Sequence, residues 1–375
     1  SLPYLLSYFL QSLYGMADLF IIGQFDGVAS TTAVSIGSQV MHMLTVMLVG
    51  LAMGATVSIA QAAGGGDKKR TASAIGNTVT LFMLLSLALT ALLLALRGGI
   101  VSIMSTPEEA VQGTLAYLTV CFIGIPFITA YNIIASIFRG LGDSKSPMYF
   151  IAVACVVNIA LDYYFMGTLH LGPAGAALGT TLSQAVSVLV SLAIILKRRL
   201  ISVRRADFRP QRAVMGKLLQ IGVPVALQDG FIQVSFVIIT IIANRRGLTD
   251  AAAVGIVEKI IGFLFLIPSS MLSTVSALGA QNIGAGKLER ARLTLRYAAM
   301  IACSFGIAVV ILTQFIAEPL VGLFTPDAAV AAAGGQYLRG YIWDSFFAGV
   351  QFIREEGYTA AGFSREITVI DYGFT

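Results

Sequence analysis

Ala60-Gln61-Ala62-Ala63-Gly64-Gly65-Gly66-Asp67-Lys68-Lys69-Arg70 decides how this chain folds. Residues 33–60 before it are almost unbroken apolar sequence, and 74–97 after it are another apolar run. Between them the chain turns on three glycines and meets three basic residues. An apolar run of about 20 residues is the length that spans a bilayer as a helix. The same stretch returns 220 positions later as Ala280-Gln281-Asn282-Ile283-Gly284-Ala285-Gly286-Lys287-Leu288-Glu289-Arg290. Two helices joined by a basic turn, present twice, predict a duplicated membrane protein.

Outward from this stretch the register of the repeat holds. Ala33-Val34-x-Ile36 falls on Ala253-Val254-x-Ile256, and Tyr117-Leu118 falls on Tyr337-Leu338. Thr106-Pro107 and Ala110-Val111 match Thr325-Pro326 and Ala329-Val330 at an offset of 219, and Pro3 meets Pro224 at 221. Greasy helices resembling one another by chance would not keep loop glycines, prolines and register together.

Ten runs are long and apolar enough to span: 3–24, 33–60, 74–97, 113–138, 147–167, 175–196, 217–243, 252–277, 293–316 and 330–352. None alternates apolar and polar residues at period two, which argues against a β-barrel. The first run is no signal peptide, since it lacks a basic start and carries Asp18. The prediction is an all-α polytopic membrane protein built of two parallel six-helix repeats, with about ten spans present. Residues 1–200 form a first lobe of six spans, 201–216 a linker, 217–352 an incomplete second lobe of four spans, and 353–375 an atypical polar tail. The chain opens at Ser1 almost inside its first span, and its second unit stops after four, so missing residues at both ends are the expectation.

Composition agrees. The 375 residues are 57% hydrophobic and 11% charged, where soluble domains carry about 25% charged residues. That deficit excludes a disordered chain, a coiled coil and a nucleic-acid-binding module. Cys121, Cys155 and Cys303 lie in apolar runs and show no metal-ligand or disulfide spacing. Of the 24 Lys and Arg, 17 fall in the loops after spans 2, 4, 6 and 8, and only Arg97, Arg245 and Arg246 fall in the others. Basic loops stay in the cytoplasm, so the prediction is a multi-pass protein of the inner or plasma membrane with a cytoplasmic N-terminus. The basic run 197–217 reads as a topology-setting linker; the sharper reading is an anionic-lipid or nucleic-acid site.

Within the spans, acids carry the chemistry, because an ionisable side chain in lipid is costly unless it has a task. Asp18 lies five residues before Gly23 and Asp162 five before Gly167, both at the outer ends of their spans. Thr180 lies five after Gly175, where the chain re-enters. At 1.5 Å per residue all three sit about 8 Å below the outer surface. Asn158 is one turn from Asp162 on the same face. Two carboxylates, an amide and a hydroxyl at one depth suit a hard cation such as Na⁺, held by Asp18 and Asp162. They equally suit a proton shared by carboxylates that cannot both stay charged there. In the blander reading, Asn158 and Thr180 only hydrogen-bond neighbouring helices.

The second half holds Gln228 and Asp229 in span 7, Glu258 in span 8 and Asp344 in span 10. At an offset of 220 its acids fall on Phe9, Ser38 and Gly124, and Asp18 falls on Ile238. Duplicated scaffolding with unduplicated charge suggests divided labour: an ion site in the first lobe, and a substrate or second-ion site in the second. Alternatively Glu258 only pairs with Lys259 or a loop arginine. Gly50-x-x-x-Gly54 reads as close helix packing. Pro126, Pro224 and Pro268 read as helix bends, and Met41, Met43, Met47 and Met53 as core or lipid-facing. His42 and His170 read as interfacial. No P-loop, nucleophile elbow, zinc motif or dinucleotide fingerprint is present, so no ATP, cofactor or enzymatic activity is expected.

The chain resembles the multidrug and toxic compound extrusion (MATE) family, whose superfamily also holds polysaccharide and lipid-II flippases. The matching segments are Leu2-Pro3, Tyr14-Gly15-Met16-Ala17-Asp18, Ile22-Gly23, Gly50-x-x-x-Gly54 and Ala60-Gln61. They continue with Phe138-Arg139-Gly140-Leu141-Gly142-Asp143-Ser144, Asn158-x-x-x-Asp162 and Gly172-x-x-Gly175-x-Ala177-x-Gly179-Thr180. Gly222-x-Pro224 and Gln281-Asn282-x-Gly284-Ala285-Gly286 complete them, so the likeness covers residues 1–350. It implies a V-shaped two-lobe antiporter, monomeric, that exports small organic and often cationic compounds in exchange for Na⁺ or H⁺. It also implies that Asp18, Asn158, Asp162 and Thr180 are the cation-linked positions of the first lobe. A lipid-linked oligosaccharide flippase is the alternative, and would want Arg and Lys inside the spans, where there are few. A membrane-embedded enzyme is the remoter one.

Overall fold

The computed structural model describes residues 2–198, 203–325 and 327–361. The first half consists of α1 (Leu2–Phe25), α2 (Val28–Gly64), α3 (Lys68–Ile103), α4 (Glu108–Gly140), α5 (Lys145–Asp162) and α6 (Gly172–Arg198). The second consists of α7 (Arg212–Arg246), α8 (Leu248–Leu264), α9 (Leu266–Gly284), α10 (Leu288–Gly322) and α11 (Ala328–Ala361). No strand occurs among the described residues.

Eight of these helices are long and apolar enough to cross a membrane, and the bent pair α8–α9 makes a ninth. The tenth run is α11, long at 34 residues but more polar than the rest. The predicted runs thus become helices, with three differences. The fifth run finishes in a π-helical turn, Tyr163–Thr168, in which Leu169 N donates to Tyr164 O. The eighth run breaks at Phe265 and bends by 40°, with Pro268 in the turn just beyond. Pro126 and Pro224 lie inside the continuous helices α4 and α7. The third difference is at the end. Helix α11 runs to Ala361, nine residues into the segment read as a polar tail; residues 362–375 of that tail lie outside the described residues.

The repeat is visible in the packing. Helix α4 packs on α2 and α3, and α11 packs on α8, α9 and α10 in the same way. Each half has its own apolar core, one around Ile22, Leu118 and Phe122 and the other around Val257, Leu338 and Ile342. The turns between second and third helices also match. Gly66 and Gly286 hold φ of 72° and 70°, the left-handed region that glycine enters without strain.

The halves meet where α2 packs on α7 and α9. A Cβ at Gly54 would overlap Leu218 O, and one at Gly222 would overlap Leu51 O. The small residues therefore let the α2 and α7 backbones touch, as the Gly50-x-x-x-Gly54 spacing predicts. The contacts continue with Met53, which accepts from Ser276 Oγ at 3.0 Å, and with Tyr8 of α1, 2.6 Å from Ser273 Oγ. All of them lie toward the end of the molecule that carries the basic loops.

Residues 199–202, the end of the first lobe and the first two of the linker, lie outside the described residues. The rest of the linker docks on α3. Asn77 donates to Asp207 O at 3.2 Å and accepts from Gln211 N at 2.7 Å, and Thr80 donates to Phe208 O at 2.8 Å. Helix α7 then starts at Arg212, five residues earlier than the apolar run suggests.

Candidate functional site

Helices α1, α5 and α6 bring Asp18, Asp162, Asn158 and Thr180 together. Asp18 is 4% exposed, Asn158 1% and Asp162 0%. Thr180 Oγ1 donates to Asp18 Oδ2 at 3.1 Å, which places α1 and α6 at the common depth that the rise per residue predicts. The Asp18, Asp162 and Asn158 side chains are near enough to act on one another. Yet Asp18 Oδ1, both Asp162 oxygens and both Asn158 amide atoms are buried with no hydrogen-bond partner among the described residues. No Lys or Arg is among the groups acting on either carboxyl.

Such an arrangement is out of balance as it stands. Burying an unpaired carboxylate costs several kcal/mol, roughly, unless charge or hydrogen bonds compensate. Two side by side, with no basic neighbour, require a bound cation or a proton. Unpartnered oxygens from Asp18, Asp162 and Asn158 are the donors a hard cation takes. Among the described residues no group of three or more His, Cys, Asp or Glu stands together. The site therefore rests on two carboxyls, an amide and a hydroxyl, with no third acid beside them.

Sequence reasoning overlooked what forces α5 against α6. A Cβ at Gly179 would overlap Asp162 Oδ1, so the carboxyl lies on bare backbone. The neighbouring Gly179-Thr180 pair is therefore two parts of one device: space for one acid and a donor for the other. The π-helical turn begins directly after Asp162. Such turns widen a helix by one residue and recur at functional sites.

The second-half acids do not form one group. Glu258 of α8 accepts from Thr240 Oγ1 at 3.2 Å, and no ion pair with Lys259 or a loop arginine occurs among the described residues. Asp344 of α11 interacts with the Tyr341 hydroxyl, and Tyr337 and Tyr341 lie within electrostatic range of both acids. The rings of Tyr337 and Tyr341 are 5.7 Å apart, and Phe236 of α7 is 6.4 Å from Tyr341. Glu258 and Asp344 therefore share an aromatic-lined cluster, suited to an organic cation through charge and ring faces. Asp229 stands apart: its carboxyl lies against the Gly50 backbone of α2, between the halves. Gln228 precedes it on α7, half-buried. The tyrosines were not picked out from sequence, although their spacing of four places both on one face of α11.

A family profile for MatE matches residues 3–164 and 224–370. The probable multidrug resistance protein YpnP of Bacillus subtilis is 30% identical over 99% of this chain and 83% of its own. The probable multidrug resistance protein NorM of Thermotoga maritima is 27% identical over 86% of this chain and 70% of its own. A crystal structure described as MATE in the bent conformation superposes with a TM-score of 0.92 at 22% identity, covering 99% of this chain and 82% of that one. With the helix packing of the first half repeated in the second and a family match over both halves, this chain belongs to the MatE family of multidrug and toxic compound extrusion transporters.

Proposed function

We propose that the protein is a secondary antiporter that exports small organic compounds, cationic ones above all, in exchange for Na⁺ or H⁺. The observation that carries this reading is the Asp18–Asp162 pair, buried without a compensating positive charge. A site that must take up a cation or proton to be stable, on helices that can move apart, is what coupling to an ion gradient requires. The printed names of the relatives, multidrug resistance proteins, support the export of organic compounds. Glu258 and Asp344, with Tyr337 and Tyr341, supply a separate site for an organic cation or a second ion, and Gln228 and Asp229 lie on the path between the halves. Ion binding at Asp18 and Asp162 repacks α1 and lowers affinity for the exported compound. The two halves act as lobes that rock within one monomer, with the basic loops and the N-terminus in the cytoplasm.

The test is efflux of a fluorescent organic cation from proteoliposomes under an imposed Na⁺ or proton gradient. Export should follow one of the gradients. Asp18→Asn should abolish the gradient dependence, while Asp344→Asn should weaken binding of the organic cation and leave ion binding intact. Flux that is indifferent to both gradients would overturn antiport, and equal loss of ion binding in both variants would overturn the division between the halves.

A further inference from the structure

The basic end of the molecule is closed by a contact that the duplication makes with itself. Gln61 Nε2 of α2 donates to Ala360 O of α11 at 2.8 Å. Gln281 Nε2 of α9 donates to Gly140 O of α4 at 2.9 Å. Gln61 and Gln281 are 220 positions apart, and so are Gly140 and Ala360. The two hydrogen bonds are therefore one bond applied twice, each reaching from one half into the other. The backbones beneath obey the same rule: a Cβ on Gly64 would overlap Gln281 O, and one on Gly284 would overlap Gln61 O. A contact in which each partner does to the other what is done to it lies on a two-fold axis. Here that axis relates the halves and passes between Gly64 and Gly284. One departure from symmetry strengthens the contact, since Lys217 Nζ of α7 donates to Gln61 Oε1 at 2.9 Å.

We infer that Gln61 and Gln281 are a paired latch that holds the halves together at their basic end, and that alternating access requires both bonds to break. The inference rests on the proposed transport cycle only for its purpose; the latch itself is a statement about which arrangement of the halves is favoured. A contact on the axis couples the two bonds. Rotation of one half against the other lengthens both by the same amount, so the basic end opens as a single step.

The test uses the full chain with Cys303→Ser, reconstituted in lipid nanodiscs. Spin labels are placed on Lys69→Cys and Lys287→Cys, exposed positions on either side of the latch. A second pair on Gln112→Cys and Ala329→Cys reports the opposite end, and a third on Lys69→Cys and Lys145→Cys, both in the first half, reports its integrity. Gln61→Met and Gln281→Met keep the side-chain length and remove the bond. Each single variant should shift the ratio of wide to narrow distances at the basic end roughly 5-fold, and the double variant roughly 30-fold. The opposite end should narrow in step, and the third pair should not change. An unchanged ratio at the basic end in the double variant overturns the latch; if the double variant does not fold, unchanged ratios in both singles overturn it. The outcome is separate from that of the transport reading, which the efflux assay decides.

Discussion

Asp162 owes its position to a hydrogen atom. Gly179 offers no side chain at the point where the carboxyl lies, so α6 and α5 close on each other across it. Gly179→Ala should therefore displace Asp162 while leaving the helices formed. Loss of a supporting contact of this kind lowers ion affinity about 10- to 100-fold, and isothermal titration with Na⁺ or a pH titration of proton release would measure it. Thermal stability close to that of the unmodified protein would accompany the loss; a full loss of ion binding with no change in the Asp162 environment would contradict the assignment. The acids and Thr180 were legible in the sequence because rise per residue is fixed in a helix, and five residues from an outer end means one depth on any span. Gly179 was not legible as a supporting residue. A glycine states only that something comes close, and the thing that comes close was on another helix. Tyr337 and Tyr341 escaped for a related reason, since the face that α11 presents to α8 is chosen by packing and not by its own pattern.

Among the elements, the spans were the most legible part, because in lipid a chain must satisfy its own backbone and an apolar run has only one way to do so. The irregular places were not. The break at Phe265 has no glycine or proline at the break itself, and Pro268 beyond it sits in the first turn of α9, where proline is tolerated. Pro126 and Pro224, the stronger candidates by composition, interrupt nothing. The linker was read from its charge alone, and its charge does not show what holds it. Asn77 does, by donating to Asp207 O and accepting from Gln211 N. Asn77→Ala removes both bonds, at about 1 kcal/mol each. Trypsin should then cut after Arg204, Arg205 or Arg209 several-fold faster, up to about 30-fold if cleavage follows local opening. Equal rates of cleavage would show that the apolar contacts of the segment suffice.

In the molecule taken entire, the repeat sets the architecture, and the charges predict its direction in the membrane. The basic loops at one end predict that Lys69→Cys, in a Cys303→Ser background, reacts with a membrane-impermeant maleimide only when the cytoplasmic face is open to the reagent. Gln112→Cys should react from outside intact cells. The reverse pattern would invert the topology. The tail shows where reading by composition fails. Arg354, Glu355 and Glu356 make that segment too polar for a span, yet it continues α11, and Ala360 takes the place in the second half that Gly140 takes in the first. Position in the repeat was the better guide there, because packing against α2 and α9 constrains the backbone more than polarity does.

The broken span has a mechanical consequence. In the first half, α2 is one rod of 37 residues from end to end, and whatever displaces one tip displaces the other. Its counterpart in the second half is two rods meeting at Phe265, with Glu258 on one and Gln281 on the other. Leverage applied at Gln281 reaches Glu258 only through a joint. One half thus carries a continuous rod and the other a joint, so Glu258 and Gln281 can shift independently where their counterparts 220 positions earlier, Ser38 and Gln61, move as one.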